Sequence, residues 1–496
     1  MKKKTALSAL AAILACLFLL VGCGADTVTS LPPLGKVGAP SPLVGLLDPD
    51  SEIRGVWIAS VYNIDFPTAP DLSAEELKAQ LDAILDNCSA WGLNTVFFQV
   101  RPSCDALYKS DIFPVSRFLS TAGELAVDPL SYLLEAAHRR EIFVYAWVNP
   151  LRITTAYTDD PALPAGITDD MTVEYDGKLV LNAGVPAARD FVADGVREIV
   201  NKYDVDGVVF DDYFYPYPVN DDAGARVPFD DGAAYEKYGG GQDPADFRRQ
   251  SVNALVKECY DAVKGADPDC RFGVSPFGIW RNSEEAGGAG TLGFEAYDEL
   301  YCDAKAWVSG GYVDFLCPQI YWQLSTAATP YDALVRWWNG VLGAGDVDLL
   351  ISHAAYRYEE GDWDDPAGEM KAQVEFARSQ MAYRGSVFYG YDELKNDAAG
   401  VTDEVTEVYE NEIVYLSPSS DGSDITVSSH ENYASVERGV TELTGHSDPS
   451  LPLFLNGEPV GRLKNGDFSV KVTVSGGENR FLFTQHGKEF LFVLYG

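Results

Sequence analysis

Residues 205–218 read Val-Asp-Gly-Val-Val-Phe-Asp-Asp-Tyr-Phe-Tyr-Pro-Tyr-Pro. This is a short apolar strand that ends in two adjacent carboxylates and a run of aromatics. Side chains alternate along a strand, so Gly207, Val209 and Asp211 share one face, and Val208, Phe210 and Asp212 share the other. The bulky pair Val208 and Phe210 suits a surface covered by helices. Asp211 then points into the mouth of a barrel, with Tyr213, Tyr215 and Tyr217 just beyond it. In an alternating β/α chain, the carboxyl ends of strands are where chemistry sits. A carboxylate set among flat rings suits a sugar. The competing assignment makes Asp211 and Asp212 N-caps of the next helix.

Working outward, eight short apolar stretches alternate with helical patterns. They span 54–60, 95–101, 142–149, 207–212, 271–277, 315–321, 349–355 and 386–391. The amphipathic patterns between them include 73–91, 129–140, 186–203 and 244–266. Ser73 followed by Glu76 is a capping-box start for the first of these. Eight β/α alternations predict a (β/α)8 TIM-type barrel, an α/β fold. A doubly wound sheet would call for a glycine-rich first turn, and the chain has none after its first strand. Two large insertions, 156–180 and 213–243, load one face of the barrel with polar and aromatic residues.

The ends carry other information. Met1 is followed by three lysines, an apolar run and Leu20-Val21-Gly22-Cys23. That order is a secretory signal whose last four residues resemble a bacterial lipobox, with Cys23 as the lipidation site. The sequence thus predicts a signal over 1–23, a flexible tether over 24–51 and an extracytoplasmic protein held to the membrane by lipid. The barrel is expected over 52–416 and a linker over 417–432. A small all-β, Ig-like module over 433–496 follows from alternating patterns broken by Asn456-Gly457, Asn465-Gly466 and Gly476-Gly477.

Composition excludes several classes. A net charge of −38 argues against nucleic acid as a partner. Five histidines form no HxH or HExxH pattern, and the cysteines form no CxxC pair, so no metal site and no cofactor are expected. Six cysteines remain beyond Cys16 and Cys23, several inside apolar stretches, and are expected as buried thiols. There is no GxSxG elbow and no phosphate loop. Acid/base chemistry is left to carboxylates.

With the strands placed, a family resemblance becomes visible. Arg54-Gly55-Val56-Trp57, Phe98-Gln99-Val100-Arg101-Pro102, Asp105-Ala106-Leu107-Tyr108 and Ala146-Trp147-Val148-Asn149-Pro150 resemble the glycosyl hydrolase-like family 10. So do Asp206 to Pro216, Ser275-Pro276-Phe277-Gly278-Ile279-Trp280-Arg281-Asn282 and Pro318-Gln319-Ile320-Tyr321-Trp322. The likeness runs over about 52–395. It implies a barrel glycosidase of a bacterial envelope, acting on peptidoglycan glycan strands, particularly those stripped of stem peptides. Asn182 and Phe247 depart from the family pattern without removing an acid. Gly207 to Asp211 also has the Gly-x-x-x-Asp spacing of α-amylase-type barrels, where that Asp is the nucleophile. Strand five here lacks their Glu, so the proton donor stays open.

Glycoside hydrolysis needs two carboxyl groups across the scissile bond, about 5–5.5 Å apart for retention and wider for inversion. Asp211 ranks first as nucleophile or base. Its candidate partners are Asp212, then Asp105 after strand two, then Asp392 and Glu393 after strand eight. Arg101, Arg152, Arg281 and Arg357 follow strands toward the same mouth, where they would hold the acids ionised or grip a substrate carboxylate such as the lactyl group of muramic acid. Local ion pairing is the alternative for each. Asn149, Gln319 and Tyr321 could bond sugar hydroxyls. Trp147, Trp280, Trp322, Tyr213 and Tyr215 could stack on sugar faces. Two other functions fit the same features: hydrolysis of a different polysaccharide, and glycan binding without catalysis.

Overall fold

Eight parallel strands close on themselves: Ile53–Ile58 (β1), Thr95–Arg101 (β2), Phe143–Val148 (β3), Gly207–Phe210 (β4), Arg271–Val274 (β5), Phe315–Leu316 (β6), Asp348–Ala354 (β7) and Tyr383–Tyr389 (β8). Each pairs with its neighbours in chain order, and β8 pairs with β1 in the register Ile53↔Gly385. The computed structural model describes residues 52–155, 163–343, 345–360, 363, 366–410, 425–447, 453–460, 466–485 and 488–496. Cys23, the tether and half of the expected linker lie outside them. The fold is the TIM-type barrel read from the alternation. Strand β6 is shorter than its apolar run because Pro318 has no N–H to donate. The pairing resumes as single bridges from Gln319 to Phe277 and Ser352.

The barrel interior is filled by rings. Trp57, Phe97, Tyr145, Trp147 and Phe315 form one buried cluster with Ile53, Val209, Leu350 and Val387. Phe97 lies 4.7 Å from Trp57 and 4.8 Å from Tyr145, centroid to centroid. Such rings fit only beside positions with no side chain. A Cβ on Gly207 would sit 2.5 Å from the Tyr145 ring, and one on Gly273 would sit 2.5 Å from Phe315. The glycine of β4 is therefore a packing requirement.

The helices cover the outside as their sequence signals indicate. Ala74–Ala90 starts on a capping box, with Ser73 N donating to Glu76 Oε2 at 2.9 Å. Its Leu77, Leu81, Ile84, Leu85 and Cys88 are buried, the spacing of one helix face. Pro129–His138 is capped by Asp128, and Pro244–Ala266 by Asp243. His353 belongs to this outer layer. Its ring bonds Ser386 at 2.8 Å and Gln373 at 3.1 Å, and burial pushes its pKa down to about 4. It is a neutral packing residue. All six described cysteines are free and buried.

One polar clamp spans the closure. Glu52, just before β1, accepts from Arg378 Nε at 2.8 Å and Nη2 at 2.7 Å, and from Tyr383 OH at 2.9 Å. Glu52 is 3 % and Arg378 5 % exposed, so neither charge is compensated by water.

Contacts divide the chain into two compact units, the barrel within 46–411 and a module within 412–496. The module has a three-stranded sheet (Thr426–Val427, Gly439–His446, Asp467–Val474) and a five-stranded sheet (Ala434–Ser435, Lys488–Tyr495, Glu478–Gln485, Leu453–Leu455, Glu458–Val460). Leu443 and Phe468 from the first share a core with Phe481, Phe483, Phe492 and Leu494 from the second.

Glu52→Ala takes the paired carboxylate away from the buried Arg378 guanidinium, a loss of about 3–5 kcal/mol for such pairs. Urea unfolding is expected to show a loss of that size. A change under about 0.5 kcal/mol would mean that the clamp does not hold the seam.

Candidate active site

Asp211 and Asp212 stand just past the end of β4, and neither caps a helix: the next helix is Gly232–Tyr238, preceded by Asp231. Val209 lies in the barrel core, so Asp211 inherits the inward face. Its Oδ2 accepts from Asn149 Nδ2 at 2.7 Å and from Trp147 Nε1 at 3.1 Å, and its Oδ1 accepts from the backbone N–H of Tyr213 at 3.2 Å. Asp212 accepts from Gln319 Nε2 at 3.0 Å and from the Tyr217 hydroxyl. Both carboxyls are buried, at 5 % and 2 % exposure.

Burial dominates their electrostatics. It pushes Asp211 up to about 6, with the Asp212 charge adding to the rise and Arg152 opposing it. Asp212 is raised as well, again mainly by burial, against the pull of Tyr217, Gln319 and Arg152. Asp105, half-buried after β2, is raised by burial and drawn down by hydrogen bonds from Ser116 and Ser103 and by Arg117 and Arg152. The three first-ranked carboxyls thus share the field of one guanidinium. Arg152 donates from Nε to Pro102 O at 2.8 Å and lies 5.1 Å over the Tyr213 ring.

Tyrosines form part of the same mouth. The Tyr321 hydroxyl bonds Ser352 at 2.9 Å, and its ring lies parallel to Tyr389 at 6.3 Å. Tyr356 stands edge-on to both rings, at 5.8 Å from each, and carries the Arg357 guanidinium 5.2 Å above it. Trp322 packs on Phe277 at 5.8 Å, and Phe277 lies 6.5 Å from the Tyr217 that serves Asp212.

Four expected mouth residues are placed elsewhere. Arg101 is fully buried, lies 4.5 Å over Phe113, packs against Gly195 of Pro186–Lys202 and donates to Pro150 O at 3.3 Å. The register with β3 shifts between Gln99 and Arg101; this bulge turns Arg101 from the inward face to the helix layer. Arg281 is held by both oxygens of Asp298, at 2.8 and 2.9 Å. Trp280 is buried, stacked on Trp337 at 5.6 Å with Lys305 4.7 Å over its ring, leaving no open face. Tyr215 is buried between Phe229 and Tyr301, each at 5.1 Å.

One carboxyl escaped the sequence reading. Asp65, in the loop after β1, is buried and accepts from Ala59 N at 2.7 Å. Burial raises it well above the usual carboxylate range, helped by the charges of Asp392 and Glu393. Glu393 is buried too. Both Asp65 and Glu393 act on Tyr389, as does Tyr213. The signal available was a lone acid in Val61-Tyr62-Asn63-Ile64-Asp65-Phe66-Pro67. Among the described residues no group of three His, Cys, Asp or Glu side chains is arranged to hold a metal.

A closed parallel barrel with paired, buried carboxyls among tyrosines at the carboxyl ends of its strands is the working end of a glycoside hydrolase. Residues 52–367 match the glycosyl hydrolase-like 10 family, and the chain belongs to that family. It is similar to the glycosyl hydrolase YngK of Bacillus subtilis (strain 168), 37% identical over 382 residues, which are 74% of this chain and 74% of that protein. It is also similar to the glycosyl hydrolase DigH of Escherichia coli (strain K12), 33% identical over 425 residues, 79% of this chain and 94% of that protein. Among solved structures, the PgaB (BpsB) glycoside hydrolase domain from Bordetella bronchiseptica overlays with a TM-score of 0.45 at 14% identity, covering 71% of this chain and 99% of that one.

Asp211→Asn is expected to lower glycan turnover by two orders of magnitude or more with the fold kept. The same substitution tests the electrostatics. A pKa raised from 3.8 to about 6 means that between those values the folded chain holds a proton the unfolded chain has released. Stability therefore falls as pH rises through that window, and the full cost is present above about pH 6. Removing the charge should stabilise the protein at pH 8, by about 3 kcal/mol, and make no difference below about pH 4. Equal melting of the two proteins at both pH values would contradict the buried-charge account.

Proposed function

We propose that this protein hydrolyses peptidoglycan glycan strands from which the stem peptides have been removed. The observation that carries this reading is Arg152, which stands beside both carboxyls of the pair and over the face of Tyr213. A denuded muramic acid residue presents a lactyl carboxylate that a guanidinium can take bidentately. In stem-bearing strands that carboxyl is an amide, uncharged and bulky. The resemblance to envelope glycosidases points the same way.

In this reading Asp211, held by Trp147, Asn149 and the Tyr213 N–H, is the nucleophile or base once ionised. Asp212 and Asp105 are the candidates for the proton donor, since burial favours their protonated forms. Asn149 and Gln319 hold the acids and, with Tyr321, orient the sugar. Arg357, over Tyr356, stands as a second guanidinium on the tyrosine side of the mouth. The substrate reader is thereby Arg152, in place of Arg101 and Arg281, whose charges serve the helix layer and Asp298. Denuded strands should be cleaved faster than stem-bearing strands and faster than chitin oligomers. Arg152→Gln should shrink that preference by the worth of a charged hydrogen bond, about 1.5–3 kcal/mol. Equal rates on chitin and denuded glycan in the parent enzyme would sink the carboxylate-reader idea.

The reading includes a location. We propose that Cys23 carries lipid and holds the enzyme at the outer side of the membrane, within reach of wall glycan. Cys23→Ala is expected to move the protein from the membrane fraction to the soluble extracytoplasmic fraction. Unchanged membrane retention would leave the apolar run itself as the anchor.

A further inference from the structure

The insertion after β4 helps to line a cavity of about 270 Å³. Its walls include the rings of Tyr175, Tyr215, Phe229 and Tyr301, with Arg226 and Glu299 also lining it. Two neighbours of its walls meet Asp212. Tyr217, two residues on from Tyr215, donates to Asp212. Cys302, next to Tyr301, lies in the electrostatic field of Asp212. The cavity is thus lined by residues on the same two chain segments that meet Asp212.

Its charges cancel. Arg226 bonds Glu299 at 2.6 Å, and Arg248, which also lines the cavity, bonds Asp231 at 2.6 Å and the Tyr301 hydroxyl at 2.7 Å. No guanidinium is left unmatched for a carboxylate. The Tyr215 hydroxyl, on a side chain 2 % exposed, has no hydrogen-bond partner, a state that costs about 1–3 kcal/mol and that a ligand hydroxyl would relieve. Flat rings, a neutral mixed pair and an unsatisfied hydroxyl suit an uncharged pyranose.

We propose that this cavity is a second sugar site, one that takes an uncharged ring of the strand whose charged ring is read by Arg152. It rests on the glycosidase reading for its place in a strand. In a denuded strand the uncharged ring is N-acetylglucosamine. The two sites then read the alternation of the polymer, one sugar by its carboxylate and the next by its lack of one.

The test is titration calorimetry of chitotriose, an uncharged N-acetylglucosamine trimer, into the Asp211→Asn protein, which binds without turning over. Val227→Trp, added to that background, fills the cavity, since Val227 lines it. It should weaken binding about tenfold, and Arg226→Gln, on an exposed side chain, several-fold. If Val227→Trp does not fold by thermal melting, Arg226→Gln alone carries the comparison. In the otherwise wild-type enzyme, Val227→Trp should raise KM for denuded strands. Unaltered chitotriose affinity in both folded variants overturns the proposal. So does absence of chitotriose binding in the parent, or loss of binding only on Arg152→Gln. An enzyme that cleaves no glycan, yet loses chitotriose on filling the cavity, would refute the hydrolase reading and keep the sugar site.

Discussion

The structure depends on rings packed against glycines inside the barrel. Phe97, Tyr145 and Phe315 occupy space that any side chain at Gly207 or Gly273 would need. This packing makes a solid floor under the mouth. Trp147 belongs to that floor, and its one polar atom, Nε1, reaches up to Asp211 Oδ2. Apolar packing below and acid placement above are thus settled by the same side chain. A carboxyl standing on such a floor is fixed in direction and cut off from water on one side, and its raised pKa follows from that.

The electrostatic economy of the mouth is sparse for a chain of net charge −38. Asp105, Asp211 and Asp212 are all drawn down by Arg152. In the loop after β1, burial and then the charges of Asp392 and Glu393, beyond β8, push Asp65 toward its protonated form. The mouth thus has one region where a cation favours ionised acid and another where burial and like charge favour neutral acid. Separated tendencies of this kind are how carboxyls of one chemical type acquire different roles.

Much of this was legible in the sequence, and the limits have physical causes. The alternation of apolar stretches with amphipathic patterns fixes an eightfold β/α repeat because strand and helix periods differ. Strand parity placed Asp211 because β4 is regular from Gly207 onward. Arg101 follows its strand toward the mouth, yet a bulge between Gln99 and Arg101, which leaves no mark in composition, turns it to the helix layer. Arg281 and Trp280 sit after the right strand, yet Asp298, Trp337 and Lys305, which occupy them, come from elsewhere in the chain. Asp65 was missed because its environment is made by Asp392 and Glu393, acids on the far end of the barrel sequence. Side-chain direction at a regular strand is a local property; what a side chain meets is not.

The Glu52 clamp has a consequence for how the molecule comes into being. Glu52 and Arg378 are 326 residues apart in the chain. For a free loop of that length, closure costs about 5 kcal/mol in entropy by polymer scaling, part of which the pairing of β1 through β7 meets beforehand. Until the last strand exists, β1 presents one unpaired edge, and Glu52 has neither of the partners that justify its burial. A chain emerging from its amino end therefore cannot close the barrel before its eighth strand has been made. Long-range closure of this kind makes for slow folding and for a period of exposure to misassociation. Arg378 and Tyr383, which hold the Glu52 carboxylate, decide whether the first strand made ever becomes part of an enzyme.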